Sequence, residues 1–369
     1  MVSAAAANLM RVVAHNGARI LGGAERATVL LLAGLQARGH DVLLMCNDDR
    51  VAQFATSAGV PAKISIIGGD MSLLYAHRFA KSLKAEQPDA MIVGTWKKLF
   101  FASWAAKKAG ARKVVARVGL ESDTPRSLKY KYALRRWTDA VVVNAERMVP
   151  AFSSIGGFDS RKVSVIHNGV VAPRRSSASG TLRSERGIPA CAPVVGVVAR
   201  LAKQKRIDRL LRAFTRLPAD THCIVAGEGD ERESLLRLSS ALGISNRVHL
   251  IGHREDKGEV LDALDVFVLT SDQEGLSNAM LEAMAFGIPI VSTPVSGAAE
   301  AMLPDLEGRV PGLITSFDDD SIAESVSSLL SDTEKRMTMG AAAGKIAQTR
   351  FSVDSMLDRW ETVLTTSRG

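Results

Sequence analysis

Short apolar runs alternate with segments of helical periodicity along most of the chain. The runs of the first half fall at residues 10–14, 41–45, 90–93, 114–116, 140–143 and 163–166, and those of the second half at 194–198, 222–226, 248–251, 266–269 and 289–292. A strand followed by a helix, repeated in this way, is the pattern of βαβ units in a parallel sheet. The pattern therefore predicts an α/β protein with two doubly wound parallel sheets, one in each half.

A segment without periodicity separates the two series. Residues 171–184 contain Pro173, several serines and basic side chains, a composition typical of a linker. We predict an N-terminal domain over residues 1–173 and a C-terminal domain over residues 174–350, with a cleft between them. Residues 351–369 are predicted to form a final amphipathic helix that packs back toward the N-terminal domain or bridges the two, with an apolar face of Phe351, Met356, Leu357, Trp360, Val363 and Leu364.

Composition limits the class of protein. The chain has 369 residues, of which 46% are apolar, enough for two domains with full cores. No apolar run reaches the roughly 18 residues that a membrane span needs, and the N-terminus shows no secretory signal. Cys46, Cys191 and Cys223 are isolated and are expected to be small buried residues in a reducing compartment. The sequence thus predicts a cytoplasmic protein.

The net charge of +8 is unevenly distributed. Residues 1–173 contain 24 Lys and Arg against 12 Asp and Glu, whereas the remainder contains 23 against 27. The basic half is expected to meet an anionic partner, such as a membrane surface or a phosphorylated lipid. No nucleic-acid-binding motif accompanies the charge, so a nucleic acid is not the expected partner.

The stretch 271–289, SDQEGLSNAMLEAMAFGIP, combines a loop with a helix start directly after a predicted strand. Glu274 and Glu282 lie around this helix start, and Ser277 or Asn278 is suited to cap it. In open α/β sheets, ligands bind where loops leave the carboxyl ends of strands. Backbone N–H groups at a helix start attract phosphate, and carboxylates accept hydrogen bonds from sugar hydroxyls. The stretch predicts a nucleotide-sugar site, although capping and solvation also explain an isolated pair of acids.

Two glycine clusters follow other predicted strands. Gly22-Gly23 stands before a helix predicted over residues 27–38, where paired glycines permit close approach of a ligand to the backbone or simply form a turn. Gly227-Glu228-Gly229 lacks the third glycine of a dinucleotide-binding motif. It is interpreted as a structural turn.

A basic cluster, residues 199–206, follows the first strand of the second half. Arg200 and Lys205 lie in it, ahead of a helix predicted over residues 208–214. A planar guanidinium and a mobile ammonium form a good clamp for a diphosphate. A solvated basic loop is the alternative, and the position after this strand favours the clamp.

Taken in order, these clusters resemble the retaining nucleotide-sugar glycosyltransferases of the GT-B fold, family 4 of the sequence classification. The resemblance covers nearly the whole chain, and His167-Asn168-Gly169-Val170 is similar to the interdomain signature of that family. It implies two Rossmann-like domains facing across a cleft and a hexosyltransferase-type enzyme without a metal or other cofactor. The match is strongest over residues 194–300, where four residues agree in position and spacing: Arg200, Lys205, Glu274 and Glu282.

The resemblance also implies roles for single residues. Glu274 would bind the hydroxyls of the donor sugar, and Glu282 those of the ribose. Arg200 and Lys205 would neutralise the diphosphate and stabilise it as the leaving group. The donor is expected to be a UDP-, GDP- or ADP-sugar, with UDP favoured. Further donor contacts are implied for the loop at Gly22 and Gly23, for the backbone at Gly252, His253 and Arg254, and for the helix start at Gly275, Leu276 and Ser277.

The reaction implied is a front-face transfer with retention of the anomeric configuration, in which fixed cations replace a metal. Asp318-Asp319-Asp320 is an acidic triplet, but a helical pattern follows it, so capping is the better interpretation.

Three positions depart from the family pattern. No histidine follows the strand at 114–116, where Arg117 or Glu121 would take part of its role. Ser277 replaces a common proline, and Ser296 replaces the first of two common glycines. These departures concern the part of the site that selects the donor.

Residues 96–108 mix aromatic side chains with paired lysines. Basic residues beside exposed aromatics suit an anionic membrane interface, whereas Leu99, Phe100 and Trp104 also fit the core face of an ordinary helix. The first interpretation predicts peripheral attachment to the inner face of a membrane and a lipid-linked acceptor, as in lipopolysaccharide, glycolipid or polysaccharide assembly. Nearby cations that would add to this surface are Lys129, Lys131, Arg135 and Arg136.

Two other functions fit parts of the pattern. A nucleotide-sugar 2-epimerase of the same fold would require acid/base carboxylates and histidines, which the motifs match less well. A non-catalytic binder of anionic surfaces would use only the basic half and would not require Glu274 and Glu282 together.

Overall fold

A computed structural model of the chain describes residues 9–18, 21–67, 73–120, 127–153, 155, 158–175 and 180–366. The chain forms two compact units, one of residues 1–169 with 353–369 and one of residues 170–352. Each unit contains a parallel β-sheet covered by helices, and this confirms the predicted α/β class.

The sheet of the first unit has the strand order β3-β2-β1-β4-β5-β6-β7, and every neighbouring pair is parallel. Its strands are β1 (Arg11–Asn16), β2 (Asp41–Cys46), β3 (Ala62–Ile64), β4 (Ala90–Val93), β5 (Lys113–Val118), β6 (Ala140–Val143) and β7 (Val163–Val165). The helices between them are α1 (Gly23–Ala37), α2 (Asp49–Ser57), α3 (Leu73–Ala85), α4 (Leu99–Ala109), α5 (Leu128–Arg136) and α6 (Pro150–Ser153).

Two apolar clusters cover the two faces of this sheet. Successive side chains of a strand point to opposite faces, so Val12 packs in one cluster with Leu32 of α1, and Val13 packs in the other with Phe79 of α3. Strands covered on both faces read as continuous apolar runs, which is why β4 and β6 were recognisable in the sequence.

The sheet of the second unit has the order β10-β9-β8-β11-β12-β13, again parallel throughout. Its strands are β8 (Val194–Val198), β9 (His222–Ala226), β10 (Val248–Gly252), β11 (Val266–Leu269), β12 (Ile290–Ser292) and β13 (Gly312–Ile314). Its helices are α7 (Thr181–Glu185), α8 (Ile207–Phe214), α9 (Arg232–Ala241), α10 (Lys257–Asp262), α11 (Asn278–Phe286), α12 (Ser296–Ala301), α13 (Asp319–Leu330) and α14 (Thr333–Arg350).

The last helix, α15 (Val353–Thr365), belongs to the first unit and packs on α1. Gly34 of α1 leaves room for it, since a Cβ there would lie 2.7 Å from Leu357. Arg38 adds ion pairs of 2.7 Å to Asp358 and Glu361. Phe351 does not share the apolar face of this helix, contrary to the prediction. It precedes α15 and is buried in the core of the second unit.

Several boundaries differ from the sequence-based expectations. β3 and β13 were not predicted, because both are three residues long, lie at sheet edges and are only partly buried. The predicted linker contains the start of α7, whose Leu182 is buried in the second core; one and a half turns are too short to show a helical period. α1 begins at Gly23, four residues before its predicted start.

Candidate active site

The strand order of the second sheet places two loops side by side. β8 and β11 are neighbours at its centre, and the chain winds away from this point in opposite directions. Ligand sites in open α/β sheets form at such a switch point, outside the carboxyl ends of the strands. The loop after β8 carries Lys205, and the loop after β11 carries Glu274.

The structure brings Lys205 and Glu274 together as an ion pair. Their side chains are 17% and 7% exposed. The hydroxyl of Ser271 also donates a hydrogen bond of 3.0 Å to the same carboxylate oxygen of Glu274. A carboxylate held by a cation and a hydroxyl keeps one orientation, and its other oxygen accepts further hydrogen bonds.

Backbone contacts hold the two loops against each other. The hydroxyl of Thr270 donates to the carbonyls of Lys205 and Arg206, at 3.2 and 2.9 Å. The N–H of Asp272 donates to the carbonyl of Gln204 at 2.9 Å. These backbone contacts therefore fix the Lys205 ammonium and the Glu274 carboxylate relative to each other.

The helix after Glu274 begins as the sequence predicts. Ser277 is the N-cap of α11, and its hydroxyl accepts from the N–H of Met280 at 3.4 Å. Leu276 is buried in the core, so only its backbone is available to a ligand. Gly297 of α12 packs directly beneath, since a Cβ there would lie 2.3 Å from the carbonyl oxygen of Gly275. This contact fixes the distance between α12 and the loop that carries Glu274.

Glu282 lies on α11 and is paired with Lys257, the first residue of α10, at 2.5 and 2.7 Å. Sequence reasoning did not find Lys257, because the two residues are 25 positions apart and no local pattern joins them. Gly258 fixes the start of α10, since a Cβ there would lie 1.9 Å from the carbonyl oxygen of Arg174. The pair is half-buried.

Arg200 is placed differently from Lys205. Its side chain is exposed, and within the described residues its guanidinium makes no ion pair or hydrogen bond. The turn at Gly227 and Gly229 packs on the backbone beside it, because Cβ atoms there would lie 1.9 Å from the carbonyl oxygen of Ala199 and 2.3 Å from that of Leu201. Gly227-Glu228-Gly229 is therefore a turn packed on the loop that carries Arg200, and the absence of a ligand role for it stays a prediction.

The loop after β10 contains the remaining candidates of this unit. Gly252 has a φ of 75°, a left-handed conformation that favours glycine. His253 is exposed. Arg254 is half-buried and forms an ion pair of 3.0 Å with Glu185. Contact of these residues with a nucleotide base stays a prediction.

In the first unit, Gly22 caps α1 and Gly23 begins it. The N–H of Gly22 donates to Glu25 at 2.9 Å, and the amide of Asn16 donates to the other oxygen of Glu25 at 3.1 Å. The glycine pair thus forms the start of α1, held by the buried acid Glu25. Its contact with a donor stays a prediction.

Arg117 lies on β5 and is bound within its own unit. Its guanidinium donates to the hydroxyl of Thr28 at 2.8 Å and to the side chain of Asn168 at 3.0 Å. Burial lowers the pKa of Arg117 to about 10, so the group is charged at neutral pH. Glu121, the alternative substitute for the family histidine, lies outside the described residues.

The acidic triplet caps a helix, as predicted. Asp318 is the N-cap of α13 and accepts from the N–H of Ser321 at 2.7 Å. Hydrogen bonds from Ser316 and Ser321 lower the pKa of Asp318 to about 2. In the part of the chain that the structure describes, no three His, Cys, Asp or Glu side chains lie together as metal ligands would.

The aromatic and basic segment at residues 96–108 contains α4, and the cations predicted to add to it lie on α5, whose exposure differs. Leu99 of α4 is buried and Phe100 and Trp104 are half-buried, so the core-face interpretation holds for α4. On α5, Leu128 is 82% exposed and Tyr132 is 52% exposed. An open groove of about 570 Å³ is lined there by Phe100, Leu128, Lys129, Lys131, Tyr132 and Arg135. No helix among the described residues has the length and hydropathy to cross a bilayer.

Two family models match the chain. The model described as Glycosyltransferase Family 4 matches residues 21–173, and the model described as Glycosyl transferases group 1 matches residues 179–346. The chain therefore belongs to the family 4, group 1 glycosyltransferases. The predicted resemblance is confirmed.

Individual relatives agree with this assignment. The lipopolysaccharide core biosynthesis glycosyltransferase LpsE of Rhizobium meliloti is 28% identical in an alignment of 352 positions that covers 92% of this chain and 94% of the relative. A GDP-mannose-dependent phosphatidylinositol monomannoside mannosyltransferase of Mycolicibacterium smegmatis is 30% identical over 69% of this chain and 68% of its own. The crystal structure of HepE from Anabaena with UDP and glucose has a TM-score of 0.85 and 23% identity, over 96% of this chain and 99% of that one. The last likeness shows the GT-B fold.

Proposed function

We propose that this glycosyltransferase moves a sugar from a nucleoside diphosphate sugar to an acceptor hydroxyl, with retention of the anomeric configuration and without a metal. The observation that carries the proposal is the pair formed by Lys205 and Glu274 at the switch point of the second sheet. It places a cation beside a buried carboxylate, and the transfer needs one group for the leaving diphosphate and one for the sugar.

The cations Lys205 and Arg200 act on the diphosphate. As the bond between the anomeric carbon and the phosphate oxygen breaks, negative charge grows on the diphosphate, and fixed cations stabilise that charge. The acceptor oxygen forms its bond to the anomeric carbon on the same face, and its proton passes to the departing phosphate oxygen. Arg200 is exposed and its guanidinium has no partner among the described residues, so it is available for this contact.

The two acids orient the donor. Glu274, held by Lys205 and Ser271, accepts hydrogen bonds from sugar hydroxyls. Glu282, held by Lys257, accepts from the ribose hydroxyls. UDP is the favoured nucleotide because the HepE structure contains UDP and glucose, although the mannosyltransferase relative is GDP-mannose-dependent.

A donor screen tests this proposal. Thermal unfolding is measured with UDP-, GDP- and ADP-sugars, for the native protein and for Glu282→Ala, with and without EDTA. A rise in Tm with one donor, reduced in the variant and insensitive to EDTA, is expected. No shift with any donor contradicts the proposal.

The configuration of the product is tested separately. The proton NMR spectrum of the product gives the anomeric configuration of the transferred sugar, and inversion contradicts retention. Conversion of the donor to its C2 epimer without any acceptor would instead identify an epimerase.

We further propose that the acceptor is part of a glycolipid or lipopolysaccharide, as the name of the LpsE relative indicates for that protein. The α5 surface supports this, because exposed Leu128 and Tyr132 stand among Lys129, Lys131 and Arg135 and would meet an anionic membrane. Sedimentation with phosphatidylglycerol vesicles is expected to carry the protein down at low salt. The variant Leu128→Ser/Tyr132→Ser should sediment less, while Leu236→Ser, an exposed leucine of the second unit, should not change the result. Equal sedimentation of all three proteins contradicts the proposal that the α5 surface binds an anionic membrane.

A further inference from the structure

Arg206 has a backbone conformation that is unfavourable for its side chain. Its φ is 48° and its ψ is 43°, which is the left-handed region, and it caps α8 in this conformation. A non-glycine residue there costs about 1–2 kcal/mol. Among the described residues the other non-glycine residue with positive φ is Gln87, which is exposed and distant in sequence from the site. The strain at Arg206 falls directly beside Lys205.

Two carboxylates hold the guanidinium of Arg206. Its Nε lies 3.1 Å from Asp208, and its Nη1 lies 3.2 Å from both oxygens of Asp272. Arg209, which is buried, also donates to Asp272 at 2.9 Å and to the carbonyl of Thr270 at 2.8 Å. The hydrogen bond to Asp208, and then that to Asp272, raises the pKa of Arg206, so the clamp stays charged.

This clamp connects the two loops of the site. Asp272 lies two residues before Glu274, and Arg206 lies one residue after Lys205. The Arg206 side chain therefore crosses from the loop of the cation to the loop of the carboxylate. The Thr270 hydroxyl reinforces the same junction, since it donates to the carbonyls of Lys205 and Arg206.

We propose that Arg206 is a positioning residue, whose left-handed backbone and clamp on Asp272 hold Lys205 against Glu274. The effect of Arg206 on catalysis rests on the proposed function. Its effect on the contact between Lys205 and Glu274 does not depend on sugar transfer. Removing the contact between Arg206 and Asp272 should leave the side chains of Lys205 and Glu274 intact but let them separate. Misplacement of a reacting group by about 1 Å can cost about 100-fold in rate.

The variant Arg206→Gly separates backbone from side chain, because glycine keeps the left-handed conformation without strain and removes the guanidinium. The first measurement is a double-mutant cycle of Lys205→Met and Glu274→Gln in urea unfolding, made in the native and Arg206→Gly backgrounds. The coupling free energy between Lys205 and Glu274 is expected to fall by more than half in Arg206→Gly. Gln87→Gly, at the same φ, and Arg212→Ala, which loses the outer contact to Asp208 and keeps a good helix former in α8, are the controls and should leave it unchanged.

The second measurement is kinetic. Arg206→Gly is expected to lower kcat about 10- to 100-fold with a smaller change in KM for the donor, and Arg206→Lys to recover part of the loss. Asp272→Asn should lower kcat in the same way, and the double variant should be little worse than either. The inference is overturned if the coupling free energy between Lys205 and Glu274 is unchanged in Arg206→Gly. It is also overturned if the losses in kcat from Arg206→Gly and Asp272→Asn multiply in the double variant. Lost coupling in a protein that uses no nucleotide sugar would instead overturn the proposed function and leave the role of Arg206 standing.

Discussion

Lys205 and Glu274 are 69 positions apart in the chain and form an ion pair at the centre of the second sheet. Glu274 is buried and Lys205 is half-buried, because the loops after β8 and β11 lie against each other and enclose the pair. A charged pair in such a place is expected to act as one unit in catalysis.

The first prediction follows from this pairing. Glu274→Gln and Lys205→Met should each lower kcat by about 100-fold or more, since each removes one of the charges fixed for the transition state. The double variant should be little slower than either, because groups that act together give non-additive losses. Steady-state kinetics of sugar transfer measure this. Glu307→Gln, which breaks a surface pair with Lys345, is the matched control and should keep native kcat.

The second prediction concerns the nucleotide. Glu282→Gln should weaken binding of the nucleoside diphosphate by about 10-fold or more, because hydrogen bonds to a charged group contribute about 1.5–3 kcal/mol. Lys257→Met should weaken it in the same direction, since Glu282 then loses the partner that orients it. Titration calorimetry measures both, and Glu324→Gln on the exposed face of α13 is the control. Native affinity in Glu282→Gln would remove the ribose role from this acid.

The third prediction concerns Gly297. Gly297→Ala places a Cβ 2.3 Å from the carbonyl oxygen of Gly275 and 2.5 Å from the Cα of Leu276, so the loop that carries Glu274 must shift. Both Tm and kcat should fall. Gly344→Ala in α14 has no atom closer than 3.8 Å and should instead stabilise the protein, because alanine is favoured over glycine in a helix by about 1 kcal/mol. A Gly297→Ala variant with native kcat would show that the position of the loop does not limit the reaction.

The fourth prediction concerns pH. His15 is fully buried beside Phe79, and burial lowers its pKa to about 4 against an ordinary value of 6.5. The unfolded chain therefore takes up a proton between these values that the folded protein does not. Stability is full above the ordinary pKa and is lost as pH falls toward the lowered one, with a contribution from His15 of about 2 kcal/mol between about pH 7 and pH 5.

Urea unfolding at these two pH values measures the effect of His15. The difference between them should shrink in His15→Gln and stay native in His253→Gln, whose imidazole is exposed. Equal differences in all three proteins would assign the pH dependence to other groups.

The fifth prediction concerns the thiols. Cys191 is exposed, which corrects the expectation that the three cysteines are buried. Cys46 and Cys223 are buried, and burial raises the pKa of Cys223 to about 12. A thiol reagent should therefore label one cysteine in the native protein and all three after unfolding. Cys191→Ser should abolish the native reaction, and continued labelling in that variant would show that a buried thiol becomes accessible.

Much of the fold could be predicted because its signals are local. The buried strands β6, β8 and β11 are continuous apolar runs, and the cap of α11 by Ser277 needs only neighbouring residues. The edge strands β3 and β13 were missed, since a short strand with one covered side carries no such run. Arg200, Lys205, Glu274 and Glu282 were named from the family resemblance, whereas Lys257 was missed because it lies 25 positions from Glu282.

The sequence by itself determined the alternation of strand and helix, the family and the chemical groups available to the site. Hydrophobic periodicity and residue type are local properties of the chain, so these features can be read along it. Tertiary structure alone decided that Lys205 meets Glu274, that Lys257 meets Glu282 and that Arg206 clamps Asp272. These pairs form because parallel strands bring distant loops to one edge of a sheet, and a sequence pattern carries no information about which side chains then touch.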